Sequence, residues 1–148
     1  MKFQSFYKEI EGEVCNFQPN DVGGFSVDPS FNEPGVAELI RKATGNLEAS
    51  IRDRILSEFF SWGPVEPLLS DPEITEIIIN GPESIWFEKN GFLSQLNDGF
   101  SSELSYKRFL DRTCLEAGKH YSIENPFCDG SVRDFRLHFC AKVVSPKN

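Results

Sequence analysis

Apolar residues recur at helical spacing in four parts of the chain. Residues 3–15 and 36–44 each predict a short helix, the second of which ends before Gly45. The pattern is strongest over 47–61, where apolar residues repeat every four positions, and a further helix is predicted over 102–117. The positions that repeat in the strongest helix are Leu47, Ile51, Ile55 and Phe59.

The pattern changes to β character in the middle of the chain. Residues 74–79 are nearly all apolar and mostly β-branched, which predicts a strand buried on both faces. Residues 84–88 and 92–96 predict two more strands, and Asn90-Gly91 between them favours a two-residue hairpin. Residues 134–143 alternate apolar and polar positions, as a half-buried strand does.

These elements predict an α+β fold, with helices first and then a small, mostly antiparallel sheet packed against a helix. Residues 16–35 are rich in Pro and Gly and have no sustained periodicity, so we interpret them as loop. We therefore divide the chain into an N-terminal arm or linker with a possible short helix, 1–35, and a helical lead-in plus α+β domain, 36–148.

Charge is distributed unevenly along the 148 residues. Residues 1–104 hold 18 acids and 7 bases, a net of −11, whereas residues 105–148 hold 5 acids and 8 bases, a net of +3. The overall net charge of −8 argues against nucleic-acid binding, which requires clustered Lys and Arg. An anionic ligand would be expected to meet the last third of the chain.

Other classes of site have little support in the sequence. The four cysteines form no CxxC pair and the two histidines show no metal spacing. We interpret the cysteines as small buried hydrophobes in a reducing cytosol, with a zinc site or a disulfide set as the alternative. No apolar run approaches the roughly 20 residues of a membrane span, and the acidic start is unlike a signal peptide. We expect a cytoplasmic protein without metal, cofactor or catalytic residues of its own.

Residues 62–91 carry the most specific motif, which includes the run GPVEPLLSDPEITEIIINGP at 63–82. This run resembles the N-terminal domain of the type II/type IV secretion ATPases, above all the branch that powers Tad (Flp) pili. That family has GPLEPLL, then DPEVTEI, an apolar pair and NGP. The resemblance covers about residues 36–145 and implies a PAS-like N-terminal domain. Taken by themselves, the same residues are turn formers and solvated charges.

The phosphate-binding loop of that family is missing. A GxxxxGK[ST] loop cradles phosphates with backbone N–H groups and one Lys. The only Gly-Lys pair here, Gly118-Lys119, is followed by His120 and lies at a predicted helix end. The resemblance implies that a motor domain, with ATP and Mg, would follow further along, after one more strand of the N-terminal domain. We therefore expect a truncated or split gene product that hydrolyses no ATP alone.

The resemblance also implies a role for arginines. In the family, an arginine within PDGSRVNAVIPP reaches the terminal phosphate of the nucleotide. With a one-residue gap, Arg136 aligns with it, although Phe135 and the gap replace Gly-Ser. The first of the two usual prolines is also missing. Arg133 and Arg112 are the further candidates. A guanidinium suits phosphate because it is a planar, permanently charged donor.

By resemblance, we expect a regulatory and assembly domain of a hexameric ATPase for protein secretion or pilus assembly. Its expected partners are copies of itself in a ring, the motor domain, and inner-membrane platform proteins, which would place it at that membrane as a peripheral component. Two alternatives remain. One is a stand-alone module that binds a ligand or a protein without ATPase coupling. The other is a small enzyme with no recognisable motif.

Overall fold

A computed structural model describes residues 2–16, 34–118, 127–132 and 135–140. Within them, the predicted α+β class is confirmed. The helices are α1 Lys2–Asn16, α2 Pro34–Thr44, α3 Ala49–Phe60, α4 Glu66–Leu69 and α5 Glu103–Ala117, with a 3-10 turn at Gly63–Val65. The strands are β1 Ile74–Gly81, β2 Ser84–Lys89, β3 Phe92–Gln95, β4 Phe127–Val132 and β5 Phe135–Cys140.

The chain divides into two compact units, Met1–Pro64 and Val65–Asn148. We call the first the helical unit and the second the sheet unit. The boundary predicted at residue 35 stays a prediction, since residues 17–33 lie outside the described part of the chain. No described helix is long and apolar enough to cross a membrane.

The helical unit is built on the stripes that the sequence predicts. Tyr7 of α1, Ile40 of α2 and Ile55 of α3 are fully buried in one apolar cluster. The ring of Tyr7 stacks on that of Phe59, with 4.4 Å between centroids. Because each stripe faces the other two helices, the three helices share a single core.

A buried carboxylate and its ion pair lie in this core. Glu58 of α3 is buried, and its Oε2 accepts a hydrogen bond from Arg54 Nη1 at 2.7 Å. The guanidinium carbon of Arg54 also lies 4.7 Å from the ring centroid of Phe3 on α1. Arg54 therefore joins α1 to α3 through the cation–π contact, while its ion pair with Glu58 lies within α3.

The sheet of the second unit has the order β3-β2-β1-β5-β4. β1, β2 and β3 form the predicted antiparallel meander. Asn90 and Gly91 both have positive φ, 53° and 82°, as a two-residue hairpin of this twist requires. β5 pairs parallel with β1 and antiparallel with β4. The sequence pattern predicted neither β4 nor the parallel pairing.

The prediction that β1 is buried on both faces is wrong. Ile77 and Ile79 are fully buried, but Thr75 is exposed and Ile78 is half-buried. Ile78 pairs with Trp86 of β2, on the face that also holds Glu76 and Glu88. Carboxylates are costly to bury in an apolar interior, so the face that holds Glu76 and Glu88 stays half-buried, while Ile77 and Ile79 on the other face become core.

Helix α5 begins and ends where the sequence predicts. Ser102 Oγ accepts the backbone N–H of Ser105 at 3.0 Å, and Gly118 closes the helix at φ 67°. The buried positions of α5 include Tyr106 and Phe109, and both rings pack against Phe100. A helix that presents this stripe supplies a large part of the apolar interior of the sheet unit.

The segment before α5 lies against the turn between β1 and β2. The backbone N–H of Phe100 donates to the carbonyl oxygen of Pro82 at 2.7 Å. A Cβ on Gly99 would lie only 2.7 Å from that same oxygen. Gly99 is therefore required for this close approach, which fixes the NGP turn of the sequence motif.

Candidate functional site

Arg136, the leading candidate for a phosphate contact, lies on β5 in the interior of the sheet. Its Cα pairs with that of Glu76 on β1 and that of Ser131 on β4. Glu76 in turn pairs with Glu88 on β2, and Glu88 pairs with Leu93 on β3. We call these five positions the Arg136 row. The side chain of Arg136 itself lies outside the described part of the structure.

The Arg136 row carries two carboxylates and one guanidinium. Neighbouring strands are about 4.8 Å apart, so Glu76 is the nearest charged position across the ladder. In the next row, His138 pairs with Asp129 on one side and Ile78 on the other. Both rows together therefore contain more acids than permanent bases.

The other two candidate arginines occupy different places. Arg112 lies on α5, where it is half-buried and engaged in an interaction. Helix α5 contacts β4, the strand beside β5. Arg112 and Arg136 thus belong to adjoining parts of the sheet unit. Arg133 lies outside the described residues.

Residues 62–91 form the 3-10 turn, α4, β1, β2 and the turn that leads to β3. Charged side chains connect the parts of this segment. Asp71 Oδ1 accepts the backbone N–H of Glu73 at 3.0 Å, and Asp71 Oδ2 accepts Lys89 Nζ at 2.7 Å. Lys89 Nζ also lies 3.4 Å from Glu73 Oε2. The sequence predicts turn formers and solvated charges here, and the structure gives both Asp71 and Glu73 a contact with Lys89. These contacts tie the start of β1 to the end of β2.

The same contacts shift two pKa values. The hydrogen bond from Lys89 is the main cause that holds the pKa of Asp71 below its ordinary value, with the Glu73 N–H second. Conversely, the hydrogen bonds to Asp71 and then to Glu73 raise the pKa of Lys89. Both shifts favour the charged forms, as expected of an ion pair.

Sequence reasoning missed Lys89, and no local signal marks it, since it lies 18 positions from Asp71. It also missed the burial of Arg108 on α5, which is 3% exposed. The i,i+4 spacings of Arg54 with Glu58 and of Lys107 with Asp111 could have indicated these two ion pairs in advance.

Neither a metal nor a disulfide is indicated in the part of the chain that the structure describes. Its His, Cys, Asp and Glu side chains form no group of three that could hold an ion. Cys114 is buried and Cys15 is half-buried, both as free thiols. The other two cysteine side chains lie outside the described set.

Comparison with known proteins gives a partial similarity. No family model matches the chain. Two provisionally named conjugal transfer proteins of Mycobacterium tuberculosis, from strains CDC 1551 / Oshkosh and ATCC 25618 / H37Rv, are similar to it. Each is 29% identical over 89 residues, which is 60% of this chain and 25% of the relative. The chain thus aligns with about a quarter of the length of proteins named for conjugal transfer.

Proposed function

We propose that this chain has a type IV secretion-related role, as the N-terminal regulatory and assembly domain of a secretion or pilus-assembly ATPase. The observation that carries the proposal is the similarity to the two conjugal transfer proteins over 89 residues. The motif at 62–91 supports it, because this run resembles the N-terminal domain of the secretion ATPases.

In this proposal the sheet unit lends an arginine to a nucleotide bound by a separate motor domain. Arg136 is the residue we favour, because β5 lies between two strands that fix its backbone. A rigid support lowers the entropic cost of placing a guanidinium against a phosphate. The excess of bases in residues 105–148 favours approach of an anion to this part of the chain.

The motor domain, ATP and Mg are further parts of the proposal. Copies of the chain in a ring, and platform proteins at the inner membrane, are the further proposed partners. Motion of such a domain relative to a motor would couple nucleotide turnover to export or to pilus assembly.

The first test is to search the coding sequence after Asn148 and the neighbouring genes for a GxxxxGK[ST] protein. The purified chain is then added to that protein and ATP turnover is measured. We expect the chain to change turnover, and Arg136→Ala to reduce the effect by at least about tenfold, as removal of a charge-stabilising donor does. Arg52→Ala is the matched control, since Arg52 lies on α3 of the helical unit.

Three outcomes would contradict the proposal. One is the absence of any P-loop protein encoded in or beside this gene. Another is ATP turnover that does not respond to the chain, which would favour a stand-alone binding module. The third is ATP hydrolysis by the purified chain alone.

A further inference from the structure

Strand β3 forms one edge of the sheet, and its outward backbone groups can be assigned. The N–H of Leu96 donates to the carbonyl oxygen of Ile85 at 2.8 Å. Inward and outward groups alternate along an antiparallel strand. The backbone N–H and C=O groups of residues 92, 94 and 96 therefore point towards β2. Those of Leu93 and Gln95 point away from it. No described strand lies beyond β3.

The side chains of this edge are exposed, and two of the four are large and apolar. All four residues of β3 are exposed, with Phe92 at 76% and Leu93 at 57%. Edge strands of natural sheets commonly carry Lys, Pro or inward-pointing charges, which prevent pairing with a strand of another molecule. Residues 90–97 contain no Asp, Glu, Lys, Arg or Pro. Apart from its shortness, β3 carries none of the usual protection against pairing.

We propose that β3 pairs with β3 of a second copy of this chain, antiparallel and centred on Ser94. In this register Leu93 lies opposite Gln95 of the second copy, and Gln95 lies opposite its Leu93. These are the residues whose backbone groups point outward, so the pairing closes four N–H···O=C bonds. Phe92 then comes to lie across from Leu96 of the second copy, where its exposed ring gains an apolar neighbour.

Charge favours a second copy at this place. Each copy carries a net charge of −8, so most approaches of two copies bring like charges together. Residues 90–97 are the longest uncharged run in the sequence. Two copies that meet along β3 therefore place no like charges directly opposite each other.

The contact is isologous, which means that the same residues face each other on both sides and the assembly closes at two copies. It is independent of the proposed ring, which needs two different surfaces. Because β3 has only four residues, the interface is small. We therefore expect a weak dimer that dissociates on dilution.

The central test is sedimentation equilibrium of the 148-residue chain over a wide range of concentration. We expect a monomer–dimer equilibrium that Leu93→Lys weakens at least tenfold. Leu115→Lys is the matched control, since Leu115 is 73% exposed on α5, away from β3. Gln95→Pro removes an outward N–H but no inward ladder bond, so it should also weaken the dimer. Far-UV circular dichroism checks that each variant folds.

A cross-linking experiment tests the register. The two Ser94 residues form a non-hydrogen-bonded pair, for which Cα atoms lie about 4.5 Å apart, within the range that a disulfide spans. Ser94→Cys should therefore give a covalent dimer under mild oxidation. Ser50→Cys, exposed at the start of α3, should not exceed the background from the native cysteines.

A chain that stays monomeric at all concentrations would overturn the inference. So would a dimer that is equally stable in the Leu93→Lys and Leu115→Lys variants. A hexamer that persists in both β3 variants would support the proposed ring and refute pairing through β3, so the two proposals can fail separately.

Discussion

The helical unit and the sheet unit place their aromatic rings differently. In the helical unit, Tyr7 and Phe59 stack in the interior, and even the guanidinium of Arg54 is engaged by a ring. In the sheet unit, Phe100 and Phe109 are buried, but Phe92 stands on an exposed edge. The helical unit also exposes a ring, that of Phe6, but at 37% it is about half as exposed as Phe92. The helical unit thus uses most of its apolar pattern for its own stability. The sheet unit leaves part of that pattern available for contacts outside itself.

Truncation of a ring in each unit gives the largest expected difference. Phe59→Ala removes a fully packed ring and should destabilise the helical unit by about 3–5 kcal/mol. Phe92→Ala removes an exposed ring and should change stability by no more than about 0.5 kcal/mol. The measurement is urea unfolding followed by tryptophan fluorescence.

The two tryptophans allow each unit to be followed by itself. Trp62 belongs to the helical unit and Trp86 to the sheet unit. Trp62→Phe and Trp86→Phe backgrounds therefore each report a single unit. Equal losses of stability from the two phenylalanine substitutions would contradict the contrast between the units.

The same substitution at two glycines should have opposite signs. Gly12 lies in α1 with nothing within 4 Å of an added Cβ, so Gly12→Ala should stabilise the helical unit by roughly 0.5–1 kcal/mol. Gly99→Ala would place a Cβ 2.7 Å from the Pro82 carbonyl oxygen. We expect it to destabilise the sheet unit by about 1–3 kcal/mol, as overpacking does.

Thermal unfolding of both glycine variants in the two tryptophan backgrounds measures these effects. Stabilisation by Gly99→Ala would show that the segment before α5 is free to move away from the NGP turn. The close contact would then have no part in fixing β1 and β2.

The smallest expected effect belongs to the ion pair of Lys89 in the sheet unit. The lowered pKa of Asp71 gives stability that is present above the ordinary Asp pKa and lost as pH falls through the lowered value. The raised pKa of Lys89 gives stability that is present below the ordinary Lys pKa and lost as pH rises through the raised value. The stability difference between the wild type and Lys89→Met should thus be greatest around neutral pH.

Melting temperatures across the pH range test this expectation, with Lys107→Met as the control. Lys107 pairs with Asp111 within one exposed helical face. If the difference in melting temperature between the wild type and Lys89→Met grew at strongly acidic pH, the assigned ion pair would be contradicted, because Asp71 is then protonated.

The sequence predicted those helices and turns that are determined by neighbouring residues along the chain. Periodicity located the helices, and Asn90-Gly91 located the hairpin, because each of these signals acts over a few neighbouring residues. The helix predicted over 102–117 likewise begins at its cap Ser102 and ends at Gly118, because both residues act through local backbone preferences.

The elements that depend on distant partners were missed or only partly described. β4 contains Cys128-Asp129-Gly130-Ser131, a run with low β-propensity, and it forms in pairing with β5. The half-buried face of β1 likewise depends on Trp86 and Glu88 of the neighbouring strand. A local pattern contains no information about such neighbours.

The candidate site divides in the same way. The alternation over 134–143 predicted a strand through Arg136, and β5 confirms that strand. The alternation could not predict that Arg136 pairs with Glu76, because the parallel register joins residues that lie 60 positions apart in the sequence. The phosphate-facing role of Arg136 stays a prediction.

The parallel pairing of β1 with β5 has a consequence for the order of folding. The β1–β2–β3 meander closes through short turns and can form early. By contrast, β5 can dock on β1 only after a loop of almost sixty residues closes, and loop entropy makes this slow. We expect β5 to be among the last elements to join the sheet. Until then, the edge of β1 that receives it is open, so a nascent or partly unfolded chain exposes a second unpaired edge that can aggregate.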